Sequence, residues 1–513
     1  MVAGMAHLVS CGGGQGPAME ALPTEPAPPV SGPAWWGFGR DAQHSAIGAV
    51  ATQDLNRIVW RTPIDRAPQH QANGELFIHY GSPVITGQNT VIFPVKLGAD
   101  GDFRIEARSG GNGALLWSAN SDYRLPPHNW TPSYNLSLST AGRLYAPGAG
   151  GKLLLRDAPD ASAGTTQTAT FYGDAAYAAA PAAFDASVFI NTPVTIDAEG
   201  NAFFGFMTIG ANPAGVNSGI ARMGIDGSGS WLGARAAAGD PSIVEVATGS
   251  APALSVDERT LYVAVNGAPG AAGAQTAYLL ALDSQTLATR TAALLVDPST
   301  GTPAWVSDDG TSSPTVGPDG DVFFGVLEAA FPRHHNRGWL LHFDATLETR
   351  KTPGSFGWDD TASIVASSMV AAYTGDSAYL IMTKYNDYGS AGLGGDGQNR
   401  VALLDPTMSQ PDAYVSAGVM REALTVLGPT ADPAVSGGVR EWCINSAAVD
   451  PLTRSVLLNS EDGYLYRWDL STNELRQRVR LTGGLGQAYT PTAMGADGAI
   501  YAISNATLFV VGR

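Results

Sequence analysis

The sequence predicts an all-β fold, an eight-bladed β-propeller of four-stranded antiparallel blades whose ring is closed by an N-terminal strand. Three observations carry this. Gly (62) and Pro (33) are abundant while charged residues make up only 15% of the 513 positions, a mixture that suits short strands joined by turns. A β-rich unit opening on a small–Pro or small–small pair recurs along the chain. The last unit stops one strand short, and an unpartnered strand sequence lies near the N-terminus.

The onsets come in order. They read S-P-V-I-T-G from Ser82, T-P-S-Y-N-L from Thr131, T-P-V-T-I-D from Thr192 and A-P-A-L-S-V from Ala251. S-P-T-V-G-P follows from Ser313, then the weaker S-S-M-V-A-A from Ser367, S-A-A-V-D-P from Ser446 and T-P-T-A-M-G from Thr490. Each runs through a turn into an aromatic-rich second strand, at a spacing of about 44 to 79 residues. The third strand tends to end in Asp, as at Asp283, Asp344, Asp405 and Asp469, where a carboxylate can accept amides of the next turn. A seven-bladed ring is the alternative if the sixth onset is not one. After A-T-L-F-V-V-G-R no fourth strand remains, so L-N-R-I-V-W-R-T-P-I (Leu55 to Ile64) is expected to supply it.

Three stretches divide the chain: 1–11, 12–33 and a single propeller domain over 34–513. The first ends in L-V-S-C, which resembles a bacterial lipobox with Cys11 as the lipidated residue, although no Lys or Arg precedes it. A start codon placed too far downstream would account for both the short leader and its missing Lys or Arg. Residues 12–33 are rich in Gly, Pro and Ala and read as a flexible tether. The expected location is the bacterial cell envelope, as a periplasmic or surface lipoprotein, or outside the cell. No apolar run is long enough to span a bilayer, so membrane contact is expected only through the lipid anchor. A net charge of −17 without Lys/Arg clusters argues against nucleic acid as a partner.

The entry W-W-G-F-G-R-D-A-Q-H-S-A-I-G (Trp35 to Gly48) and the hairpin G-Y-L-Y-R-W-D-L-S-T-N-E-L (Gly463 to Leu475) resemble bacterial quinoprotein-like propellers with PQQ-like repeats. The resemblance covers 35–513 and speaks to fold more than to activity. It implies, as one possibility, a pyrroloquinoline quinone (PQQ) and Ca²⁺-dependent dehydrogenase. Many such enzymes carry adjacent cysteines beside the quinone, and the two cysteines here, Cys11 and Cys443, are not adjacent. Other members are scaffold lipoproteins.

In a propeller, the loops entering each inner strand and those joining the second and third strands gather at one channel mouth. The first set here carries His79, Tyr80, His128, Asn129, Trp130, Trp358, Asp359, Asp360, Glu441, Trp442, Asn445 and Tyr489. The second carries Lys96, His335, Arg337, Lys384, Tyr385, Asn386 and Glu461, with Tyr388 to Arg400 as a Gly-hinged flap. Rings that cover apolar faces beside groups that satisfy hydroxyls suit a small polar or glycan-like ligand. In an enzyme, Glu441, Asp359 and Asp360 are the acid/base candidates. Cys443 reads as a packing residue. No zinc pattern, G-x-S-x-G or H-E-x-x-H occurs. The expectation is a monomer that binds a small polar ligand or glycan, with a lyase, hydrolase or protein scaffold as alternatives.

Overall fold

The computed structural model describes residues 34–70, 76–77, 81–127, 134–268, 276–306, 312–390, 392–484 and 486–513. Eight antiparallel sheets form the propeller, each with a short inner strand at the channel; in the third and fourth blades a further strand, Val188–Ile190 and Ile243–Val246, precedes it and pairs with the same second strand. These inner strands are Val84–Ile85, Ser137–Leu138, Thr195–Ile196, Ala253–Leu254, Thr315–Val316, Ser363–Ala366, Ala448–Asp450 and Ala493–Met494. Second strands such as Thr260–Gly267 (T-L-Y-V-A-V-N-G) are buried throughout, because neighbouring blades pack on both faces of the sheet. Among the described residues, no helix is long and apolar enough to cross a membrane.

The Ser and Thr residues of the repeat have a physical job. Their hydroxyls stitch each blade to the next around the channel. Ser137 donates to the Val194 carbonyl at 2.5 Å, Thr195 to Pro252 at 2.5 Å, Thr315 to Ala362 at 2.8 Å and Ser363 to Ala447 at 2.7 Å. A small hydroxylic residue is what fits where inner strands converge and their carbonyls lack sheet partners. The Asp residues behave as expected. Asp283 accepts from the Gln285 and Thr286 amides, Asp405 from Thr407 and Asp469 from Ser471, each closing a turn.

Ring closure follows the sequence reading. Arg57–Pro63 pairs antiparallel with the final strand Thr507–Gly512, so the eighth blade holds both ends of the domain. Two details differ. The sixth onset lies six residues earlier, at Thr361, with its inner strand starting at Ser363; Ser367–Met369 is a 3₁₀ turn. The small pair that marks it is Thr361-Ala362, with Ala362 accepting the stitch from Thr315. The fifth blade keeps three strands, its fourth reduced to bridges at Arg350 and Gly354. Pro353 between them has no amide hydrogen to give.

The segment Ala34 to Gly48 does something the repeat did not announce. It circles the channel end where the inner strands turn outward, and its carbonyls accept amides from six blades. Ile85 donates to Trp35, Leu138 to Trp36, Leu254 to Ala42, Val316 to Gln43, Ile364 to Ser45 and Val449 to Ala46, at 2.6–3.0 Å. At the eighth blade, Gly48 lies so close to Met494 that a Cβ would fall 2.2 Å from its methyl carbon. The tight curve puts Arg40, His44 and Ala46 at φ of 80°, 58° and 58°. One end of the channel is thereby plugged, on the side opposite the candidate loops.

Candidate functional site

At the open side, the inner-strand entry loops of blades six to eight meet the second-to-third-strand turns of blades six and seven. Lys384, at the end of the strand Tyr379–Tyr385, points into the centre of this junction with only 2% of its side chain exposed. It forms an ion pair with Asp359. Burial alone lowers a lysine's pKa, but Asp359, Cys443 and Asp360 outweigh it and hold the ammonium above its ordinary value. Asp360 is buried, accepts the Thr383 hydroxyl, and is pushed up to about 7 by desolvation, against the pull of Lys384. Glu441 is pushed up to about 8, first by desolvation and further by Asp359 and Asp432. Desolvation likewise raises Asp359.

Asp359, Glu441 and Cys443 each keep part of their surface open to solvent, whereas the groups around them are buried. They therefore line a recess rather than a closed core. Tyr489 supports it, with its hydroxyl donating to the Asp359 carbonyl and its ring 5.3 Å from the Lys384 nitrogen. Asn386 locks two loops together, since its amide donates to the Trp442 carbonyl at 3.1 Å and accepts the Trp442 amide at 3.0 Å.

The cover over the recess is folded, not loose. Within Tyr388 to Arg400, Asp387 accepts the Gly397 and Asp396 amides, while Tyr388 and Leu393 are buried. A second stretch, Gly428 to Arg440, docks on it through Val439 to Gly397 at 2.9 Å and Gln398 to Gly437 at 2.7 Å. Nothing at the repeat level signalled this second stretch.

Several candidates have other duties. Lys96 is buried, 3.2 Å from Asp65, and donates to the Ala67, Gly98 and Ala99 carbonyls, so it braces the first blade. Arg337 is buried too: it donates to the Ser355 and Asn386 carbonyls and stacks 4.4 Å over Tyr385, whose hydroxyl reaches Glu422. His335 holds Asp387 at 2.8 Å and packs on Tyr414. Trp442 is 1% exposed and packs edge-on against Tyr466, which makes it core rather than rim. Trp358 is buried with its indole N–H unpartnered, and Asn445 is buried beside the loop, its carbonyl accepting the Thr361 amide. Cys443 packs against the blade-eight core and also lies within charge reach of Lys384. Its neighbourhood is therefore richer than a packing role. Glu461 is buried in the seventh-blade turn. His79, Tyr80, His128, Asn129, Trp130 and Cys11 lie outside the described residues.

Ser355, His334 and Asp412 unite the residue types of a hydrolase triad. The wiring differs, because His334 Nε2 stands 3.2 Å from both Ser355 and Asp412, while Nδ1 faces the Gly338 carbonyl at 3.0 Å. A relay needs the acid on the opposite ring nitrogen from the serine. The set is a buried brace.

Fold and site together define an eight-bladed β-propeller with a polar mouth. Among solved structures, a europium-containing methanol dehydrogenase is similar at a TM-score of 0.55 and 9% identity, with 92% of this chain and 89% of that one covered. A quinohemoprotein alcohol dehydrogenase from Pseudomonas putida HK5 gives 0.46, 12%, 94% and 76%, and one from Comamonas testosteroni gives 0.40, 10%, 95% and 82%. No family model and no curated protein matches the sequence. At such identities the likeness concerns the fold alone.

The quinone–calcium centre that this resemblance implies can be tested on the residues. Ca²⁺ gathers many oxygen ligands. Among the described residues, no group of three or more His, Cys, Asp or Glu side chains is placed to share an ion. Where a cation would meet Asp359, the Lys384 ammonium already sits. These residues do not fit such a centre.

Proposed function

We propose that the recess beside Lys384 binds a small polyhydroxylated ligand of the glycan class, within a secreted or lipid-anchored envelope protein. The observation that carries this is the grouping of three carboxyls around one buried ammonium, with Asp359 and Glu441 still in contact with solvent. At neutral pH this set offers a protonated Glu441 as donor, beside Asp359, whose carboxyl is paired with the Lys384 ammonium, as acceptor. Hydroxyl groups both give and take hydrogen bonds, so mixed surroundings of this kind satisfy them. Titration calorimetry against a panel of sugars and polyols tests the reading. Asp359→Asn should weaken whatever binding is found by about tenfold, the worth of one charge-assisted hydrogen bond. Unchanged affinity in that variant sinks the idea.

A second reading, acid–base chemistry on the same ligand, is favoured by the near-neutral titration of Glu441 and Asp360. It separates cleanly from simple binding: a Glu441→Gln protein should still bind but form no product. Envelope location is tested by metabolic labelling with a radioactive fatty acid, which Cys11→Ser should abolish.

A further inference from the structure

The wall between the seventh and eighth blades holds a carboxyl group that nothing among the described residues neutralises. Glu461 lies in the turn between Ser455–Asn459 and Tyr464–Asp469, is 1% exposed, and neither of its carboxyl oxygens has a hydrogen-bond partner. Its neighbour Asp462 is committed elsewhere, accepting from Thr430, Tyr466 and the Tyr464 amide, and adds like charge. Two more oxygens nearby in the fold also lack partners among the described residues: Asn459 Oδ1 and Ser504 Oγ.

The loop Gly486 to Thr490 brings these groups together. Gly486 donates its amide to the Glu461 carbonyl at 2.8 Å, and Asn459 donates to the Ile503 carbonyl at 2.8 Å and to Ala488 at 3.5 Å. Ser504 packs so closely on Gly486 that a Cβ there would fall 2.2 Å from its hydroxyl oxygen. The same loop carries Tyr489, which bonds Asp359, so this oxygen-lined position and the recess share one wall.

A buried carboxylate without a partner costs several kcal/mol in the free protein, and a neutral carboxyl would still need an acceptor for its proton. An –NH₃⁺ group complements such a place, because it brings three donors and no acceptor to a carboxylate, an amide oxygen and a hydroxyl oxygen. We infer that the ligand of this mouth carries a primary ammonium group and that Glu461 receives it, which makes its class the amine-bearing polyhydroxylated molecules, as amino sugars are. This rests on the polyhydroxylated-ligand reading above. Burial holds the free Glu461 carboxyl well above its ordinary range, and an ammonium beside it draws it back down. Binding at neutral pH therefore releases a proton.

Titration calorimetry of the full chain with glucosamine, with glucose as its neutral counterpart and with CaCl₂ alone, in two buffers of different ionisation enthalpy, tests this. The expected result is glucosamine binding about 10- to 100-fold tighter than glucose, with proton release. Glu461→Gln should bring glucosamine down to the level of glucose while its unfolding temperature stays equal or rises. Ser504→Ala, which removes one unpartnered hydroxyl, should cost about threefold of the preference. Equal affinity for both sugars, or an amine preference that survives Glu461→Gln, overturns the inference and leaves the polyhydroxylated-ligand reading standing. Calcium binding that Glu461→Gln abolishes, without any amine preference, overturns it in favour of an inorganic cation. If neither sugar binds, both readings fall.

Discussion

Glu441 and Asp360 titrate near neutrality because each is desolvated among like charges, and this has a measurable sign. A carboxyl raised in the folded state favours folding below its unfolded pKa and loses that contribution as pH rises through the folded one. For Glu441 the window runs from the ordinary 4.5 to about 8. Glu441→Gln, blind to pH, should therefore gain stability relative to wild type across that window and level off above it, as thermal melts at several pH values would show. A gap that narrows with rising pH contradicts the desolvated placement. Lys384→Met leaves Asp359 and Asp360 without their cation and should destabilise the fold by about 3–5 kcal/mol in denaturant titrations. Asp359, Asp360, Lys384 and Glu441 were legible in the sequence because they stand next to strand ends at one mouth. Trp442, Arg337 and Lys96 stand at such positions too and are braces. Which side of a loop faces the recess depends on the neighbouring blade, and loop residues carry no period that reports it.

The element that holds the centre is the ring Ala34 to Gly48. Its curvature costs backbone strain at Ala46, φ 58°, repaid by amides of six blades. Ala46→Gly should raise stability by about 0.5–1 kcal/mol, the left-handed penalty less the glycine's greater unfolded-state freedom. A loss instead would mean that the Ala46 methyl, buried among Leu55, Met494 and their neighbours, outweighs the strain. The motif W-W-G-F-G-R-D-A-Q-H-S-A-I-G was conspicuous in the sequence as an entry signature. Its role as a plug was not, since the bonds that hold it to six blades run from blade amides to its backbone carbonyls, with side-chain help from Gln43 to Ser255 and His44 to Pro314.

At the scale of the molecule, the N-terminal strand and the plug are one continuous clamp. Thr52 donates to Asp450 at 2.7 Å through its amide, and Arg467 donates to Thr52 at 2.7 Å and to the Gln53 carbonyl at 2.6 Å, strapping the first strand to the seventh blade. Removing residues 1–63 strips the outer strand from Thr507–Gly512 and exposes a paired sheet edge. The truncated chain should aggregate on size-exclusion chromatography and lose amide protection in the eighth blade before the fourth. A monomeric, fully protected product would show that closure by this strand is dispensable.

The sequence by itself determined the blade count, the antiparallel hairpins and the closing strand. Those follow from short-range alternation, turn chemistry and a spacing that repeats. It also determined which loops meet at the open mouth, because that follows from strand order alone. Only the tertiary structure decided that the other mouth is plugged, that Gly392 to Arg400 lies folded beneath a second cover, and that Glu461 stands without a partner among the described residues. These depend on contacts between residues tens to hundreds of positions apart in the chain, or on the absence of a neighbour, and neither is written in residue type or spacing.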